Sequence, residues 1–302
     1  MFKKYKKIIA IALSLITICF CFTGCGGSAE VLSAEEKLLM EGTLLNPSQN
    51  ENFKYNVYTT YVEITAYVGS SAEVVIPGEL EGKPVLSIIE KCFEYNENIT
   101  KVTINNSVIR IGGSAFASCT NLKEIVLPNK IKSIPGGLCK DCVSLISFNI
   151  PETVVTIGES SFGGCNSITK LIIPRTVTLI GGGAFSGCER LEEVVIQDGG
   201  FVENDVLVKV NNVKIDSGAF AWNGALKKIV VPITSNEIAV DAFMSCSEDA
   251  MFYGYVPSTL ATICADKENK YNFTQIKKDD EIDKLIRLSY TSVAEGVTAP
   301  LS

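Results

Sequence analysis

The sequence predicts a repeat solenoid. Coils of 23 residues stack with one parallel β-sheet along a face, short turns or helical turns on the other side, and a cap at each end. Three observations predict it. One phrase recurs, as IGGSAFASCTNLKEIVLP from Ile111, IGESSFGGCNSITKLIIP from Ile157 and IGGGAFSGCERLEEVVIQ from Ile180. Its phenylalanines keep time: Phe93, Phe116, Phe162 and Phe185 are 23, 46 and 23 residues apart, and Cys139 fills the vacant beat. The apolar positions between them recur in step. A fixed period of this size is the signature of coils that stack, because one repeat cannot bury its own apolar residues.

Each position has a physical role. From Phe116, Leu122, Ile125 and Leu127 follow at +6, +9 and +11, and later coils place Leu145, Phe148 and Ile150, then Ile168, Leu171 and Ile173, then Leu191, Val194 and Ile196 there. The last two alternate as one face of a short strand. Proline at +12 (Pro128, Pro151, Pro174) lacks the amide that would extend a ladder and ends the strand. A second apolar pair, such as Ile131 and Ile134, precedes Gly or Pro at the corner. Phe93, Phe116, Phe162, Phe185, Phe220 and Phe243 are expected to stack as the core of about seven right-handed coils.

The strand-Pro units (IVLP, 125–128), the Val/Ile-x-x-Ile-Gly units, the Ala-Phe-x-x-Cys units and the opening VVIPGELEGKPVLSI (74–88) resemble the BspA-like class of leucine-rich repeats. The resemblance runs from about Tyr55 to Ile276. It implies a leucine-rich-repeat solenoid of the kind found on bacterial surface proteins, where some members act in adhesion or ligand binding.

The flanks read differently. Lys3, Lys4, Lys6 and Lys7 precede an apolar run, Ile8 to Phe22, too short for a comfortable membrane span. Phe22-Thr23-Gly24-Cys25 resembles the lipobox of bacterial lipoproteins, with Phe22 in place of the usual Leu. The resemblance implies removal of residues 1–24 and a lipid on Cys25 that anchors the chain to the membrane; a plain cleaved signal or an uncleaved anchor are the other readings. The chain carries −7 charges, and losing four lysines with residues 1–24 would leave −11. Residues 25–52 read as a tether, with a capping box at Ser33-Ala34-Glu35-Glu36 ahead of a short helix. Phe53 to Val68 alternates as a hairpin joined near Thr59-Thr60, capping a solenoid that occupies 53–276. From Phe185 to Phe220 is 35 residues, so 12 are inserted within 197–214. Val206, Val208 and Val210 suggest an extra strand or hairpin there, either a rim to a binding face or a tolerated loop. A helix over Ser258 to Asn269 and a strand over Tyr271 to Ile276 are expected to close the stack, and residues 277–302 read as a polar tail.

An acidic chain disfavours a nucleic-acid partner, since phosphate binding needs a basic face. With no histidine, His-dependent triads and His metal sites are absent. Cys119, Cys142, Cys165 and Cys188 recur every 23 residues, and Asn96 and Asn223 take the same place in other coils. They therefore read as a buried ladder, in the core or capping backbone groups. Cys139 and Cys142 form a C-x-x-C pair, so a thiol redox or zinc site is the competing reading; the repeat register explains both positions without it. No catalytic residue, metal site or cofactor is expected.

The outer face of the sheet remains. At +8 the coils present Lys101, Glu124, Ser147, Lys170, Glu193 and Lys228; at +10 they present Thr103, Val126, Asn149, Ile172, Val195 and Val230. An apolar row beside paired charges suits a binding surface, while ordinary β-propensity accounts for it equally well. The expected function is an exported protein-binding or adhesion module for an unknown protein or surface ligand, meeting the sheet around Lys170, Ile172, Glu193 and Val195, with Val126, Lys228 and Val230 beside them. A structural spacer without its own ligand is the alternative.

Overall fold

The computed structural model describes residues 32–197, 201–203, 206–209, 212–231, 235, 237–254, 260–261, 264 and 272–275. Two compact units are distinguished, 1–37 and 38–302. In the first, the expected capping box is made: the Ser33 amide donates to Glu36 Oε2 at 2.6 Å and the Glu36 amide to Ser33 Oγ at 3.1 Å. It opens a helix over Ala34–Glu41. The segment proposed to carry the lipid, including Cys25, lies outside the described residues, as does the tail from 277. No helix among the described residues is long and apolar enough to cross a membrane.

The solenoid is built as the period predicts. Its front face carries the +8 to +11 strands in parallel register. Glu73–Ile76, Lys101–Ile104, Glu124–Val126 and Ser147–Phe148 pair in sequence. Lys170–Ile173, Glu193–Ile196, Lys228–Val230, Met251–Gly254 and Asn272–Gln275 form a second run. The single sheet expected is therefore two segments. A further parallel ladder runs along the back, through Ser133–Ile134, Thr156–Ile157, Leu179–Ile180, Lys214–Ile215 and Glu237–Ile238. Two-residue strands with one inward side chain show too little alternation to be read as strands from sequence.

A third ladder joins the turns that hold the phenylalanines. At Phe116 the amides of Ser114, Phe116 and Ser118 donate to the carbonyls of Gly136, Leu138 and Lys140 in the next coil, at 3.0, 2.9 and 2.7 Å. The same triple recurs at Lys91, Phe93 and Tyr95, and at Gly137, Cys139 and Asp141. Two residues per turn adopt left-handed backbone, as Ser114 (φ 54°) and Ser118 (φ 56°) do. That conformation favours Gly, Asn and Asp, and Gly183 and Gly187 occupy both places three turns on.

Inside, the rings stack: Phe93 on Phe116 at 4.7 Å, Phe162 on Phe185 at 5.4 Å, Phe185 on Phe220 at 5.6 Å and Phe220 on Phe243 at 5.4 Å. All six are buried. Cys139 supplies no ring, and Phe148, at a position that is aliphatic in the neighbouring coils, turns inward and stacks on Phe162 at 4.3 Å. This coil is also where both ladders break. The front run stops because Ser147–Phe148 pairs with Glu124–Val126 but not with Lys170–Ile173. On the back, Lys83–Ile88 pairs in parallel with Arg110–Ile111, but Arg110–Ile111 does not pair with Ser133–Ile134, so the back ladder breaks one interface earlier, at Pro135. Gly112, Gly158 and Gly181 stand at the equivalent place and donate to the coil before, to Ile88, Ile134 and Ile157, each at 2.8 Å. Proline has no amide with which to do so.

Where the N-terminal cap is expected, three strands pair. Phe53–Tyr58 and Val62–Tyr67 form the expected hairpin, and Leu44–Gln49 adds an antiparallel outer strand. Residues 44–49, within the 25–52 stretch expected as a tether, are thus a paired strand; Pro47 sits within this edge strand, where a missing amide is tolerated. Buried Glu63 ties this hairpin to the first two coils: Ser87 Oγ donates to Glu63 Oε1 at 3.0 Å, and Arg110 Nη2, one coil further on, lies 2.8 Å from the same oxygen. The insert contains a hairpin, Phe201–Glu203 against Val206–Lys209. The expected closing helix lies mostly outside the described residues, though Leu260 and Cys264 within it are buried; the closing strand is Asn272–Gln275.

Candidate interaction surface

The front sheet places the +8 and +10 side chains outward because +9 and +11 are buried: Leu171, Ile173, Val194 and Ile196 all face the core. Strand register then sets the candidate residues side by side. Lys170, Glu193 and Lys228 are direct neighbours, and so are Ile172, Val195 and Val230. Glu193 sits between two ammonium groups, 3.1 Å from Lys170 and 3.0 Å from Lys228. Partial burial works to raise the Glu193 pKa, but hydrogen bonds from Lys228 and Lys170 outweigh it, and the carboxyl is held below the usual range. Lys101 and Glu124 form a separate pair at 3.0 Å in the first segment.

Two candidates are placed differently from expectation. Val230 is buried, with 1% of its surface exposed; its row neighbours are Val195 and Tyr253, so both flanks of this small side chain are occupied. Val126 belongs to the first sheet segment, beside Thr103, and the break after Ser147–Phe148 separates it from Ile172. What remains contiguous is Lys170, Ile172, Glu193, Val195 and Lys228. Ile172 is 40% exposed and Val195 half-buried.

Among the exposed apolar positions outside the candidate set are Val75, at 66%, and Ile146, at 62%. Val75 heads the +10 column through its register with Thr103. The VVIP motif that contains it matches the strand-Pro unit, so its register was open to reading. Ile146 is exposed in the irregular coil, where no repeat pattern signals it.

The cysteine ladder caps backbone groups. Cys119 Sγ donates to the Phe93 carbonyl at 3.1 Å, Cys142 to Phe116 at 3.0 Å, Cys165 to Cys139 at 3.1 Å and Cys188 to Phe162 at 3.3 Å. Asn223 Nδ2 makes the same contact to Phe185 at 3.0 Å, which explains why Asn and Cys exchange here. Cys139 is fully buried, and burial raises its thiol pKa; burial pushes Cys188 up to about 12. Reactive thiols need the opposite, an exposed and electropositive setting. The C-x-x-C pair is thus one core residue and one carbonyl cap.

Parallel 23-residue coils with strand-Pro units and an inner ring stack define a leucine-rich-repeat solenoid. The profile of the BspA type leucine rich repeat region matches residues 86–207 and 213–285, in six copies. The match covers more than half of the chain, which belongs to this family. Among solved structures, a leucine-rich repeat protein of T. pallidum is 28% identical with a TM-score of 0.52, over 61% of this chain and 81% of that one. One from Bacteroides ovatus is 23% identical with a TM-score of 0.53, over 76% of this chain and 58% of that one, and shares the fold. No curated protein is similar at a significant level.

Proposed function

We propose that this protein is an exported, non-enzymatic binding module, held at the bacterial surface by a lipid on Cys25, and that it engages a protein or other surface ligand through the front sheet between Lys170 and Lys228. The observation that carries the reading is the outward row Ile172–Val195 lying in register beside Lys170–Glu193–Lys228. Apolar anchors supply most of the affinity at such surfaces, and flanking charges supply register and on-rate. The chain belongs to a family of leucine-rich-repeat solenoids, and stacked repeats create the extended regular surfaces that such proteins use for binding. The insert at 197–214 leaves the chain directly after the Glu193–Ile196 strand, so a rim to the same face is its natural role.

The test compares the chain with an Ile172→Asp/Val195→Asp variant as bait for surface and secreted proteins from its natural surroundings. A partner retained by the first and lost from the second, with unchanged urea midpoints, supports the reading. Equal capture by both would reduce the front sheet to a spacer.

A further inference from the structure

The turn ladder has a direction. In every joined pair of turns the amides point toward the later coil and the carbonyls toward the earlier one: Lys91, Phe93 and Tyr95 donate to Gly113, Ala115 and Ala117 at 3.0, 2.8 and 2.9 Å. Sheet ladders alternate donor and acceptor along a strand, so their dipoles largely cancel. The turn peptides do not alternate. Their dipoles add along the stack, with the negative end at the first turn, as they add along a helix.

At that first turn the row of acceptors has nothing to accept from. By register, the carbonyls of Glu90, Cys92 and Glu94 correspond to Gly113, Ala115 and Ala117, and none of the three receives a hydrogen bond from any described residue. Asn96 stands at the ladder position from which other coils reach back to a carbonyl in the coil before. The coil before is abbreviated here: Tyr67 stacks on Phe93 at 5.5 Å and the chain passes on to Glu73 without such a turn, and Asn96 Oδ1 instead accepts from the amides of Asn98 and Ile99 at 3.0 and 3.2 Å. The vacancy is a groove of about 470 Å³, lined by Tyr67 and the run from Cys92 to Asn98. Its walls include the Glu94 and Glu97 side chains and two tyrosines. Tyr95 is 71% exposed and holds left-handed backbone (φ 61°), where the next turns use Ser118, Asp141 and Gly164. A bulky ring at such a position is a cost that no burial repays.

We propose that this groove is a second binding site, distinct from the front sheet, for a basic polypeptide segment. The segment's backbone amides would continue the turn ladder onto the Cys92 and Glu94 carbonyls, which is edge addition of the kind strands undergo. A Lys or Arg side chain would lie against the Tyr95 ring, by cation–π attraction, and reach the Glu94 and Glu97 carboxylates. A donor-rich cation fits a lining dominated by acceptors and standing at the negative end of aligned dipoles. Lys91, 3.8 Å from Glu94, is the resident cation that the ligand must outcompete.

The experiment is calorimetric titration of the full-length protein with a capped Gly-Arg-Gly-Lys-Gly-Arg peptide. A glutamate peptide of equal length, a neutral chito-oligosaccharide and Ca²⁺ serve as separate probes. Saturable 1:1 binding of the basic peptide is expected. It should weaken at least tenfold in Glu94→Gln/Glu97→Gln and at least threefold in Tyr95→Ser, and stay unchanged in Ile172→Asp/Val195→Asp. Tyr95→Ser keeps a residue type that the neighbouring turn already holds at this backbone conformation, and equal urea midpoints confirm that each variant is folded. No saturable binding of the basic peptide, or the same affinity in the groove variants, overturns the proposal. So does a groove-dependent response to the oligosaccharide or to Ca²⁺ in place of the peptide.

Discussion

Exchanging the ring between two positions of one coil should show how the irregular coil is held. Phe148 stacks on Phe162 at 4.3 Å, while Cys139, at the phenylalanine position of the repeat, is buried without a ring. Phe148→Ile removes the stacked pair and part of the buried area, a loss of about 1–3 kcal/mol. Cys139→Phe forces a ring into an occupied core and should cost about 1–3 kcal/mol. Together the two changes recreate the arrangement of Phe162 and Leu171 one coil on, so the double variant should lie within about 1 kcal/mol of the parent. The coupling energy is then about 1 kcal/mol or more, of the sign that marks compensation. Urea midpoints with unchanged slopes measure it. A second readout is the Thr169 amide. Its equivalent in an earlier coil, Lys123, donates to the Thr100 carbonyl at 2.8 Å, and hydrogen exchange at Thr169 should slow in the double variant as the front ladder closes. Additive losses, with Thr169 exchange unchanged, would refute the compensation and leave the break without this cause.

Other expectations follow from single contacts. A methyl added at Gly158 would stand 2.6 Å from the Gly136 amide nitrogen of the coil before; Gly158→Ala should lose about 1–3 kcal/mol in urea unfolding, because the obstruction is backbone and cannot rotate away. Cys165→Asn should retain most stability by keeping a donor on the Cys139 carbonyl, whereas Cys165→Ala should lose about 1–3 kcal/mol; equal losses would show that the ladder thiols only fill space. Glu193 has a depressed folded pKa, so its contribution is present above the unfolded value of about 4.3 and is lost as pH falls through the folded one. The acid limb of the urea midpoint should therefore flatten in Glu193→Gln, and the difference should shrink in high salt.

Much of this was legible in the sequence because a solenoid repeats its own evidence. Phe116, Phe162, Phe185, Phe220 and Phe243 could be assigned to the core from period alone, and the exchange of Cys with Asn left a backbone cap in the turn as one of two readings, which the distances decide. What the period hid lies where a position departs from its column. Phe148 reads as one more apolar residue at +9, and its inward turn follows from the ring absent at Cys139, nine residues away. Pro135 reads as a corner residue equivalent to Gly158; its effect is a hydrogen bond that fails to form. For the candidate surface, the contiguity of Lys170, Ile172, Glu193 and Val195 followed from register. The burial of Val230 and the isolation of Val126 did not, because both depend on neighbouring coils and not on their own strand.

The break at the Cys139 coil has a mechanical meaning. Coils stacked by backbone bonds are links in series, and a pull between the two ends loads every interface with the same force. Most interfaces resist through three ladders at once. The interface before the Cys139 coil lacks the back ladder and the one after it lacks the front ladder, while the turn ladder crosses both. Under tension these two neighbouring joints yield first, opening on opposite faces. The Lys170–Lys228 surface then stays intact on the far side, as a unit that can be drawn away from the cap without being unravelled.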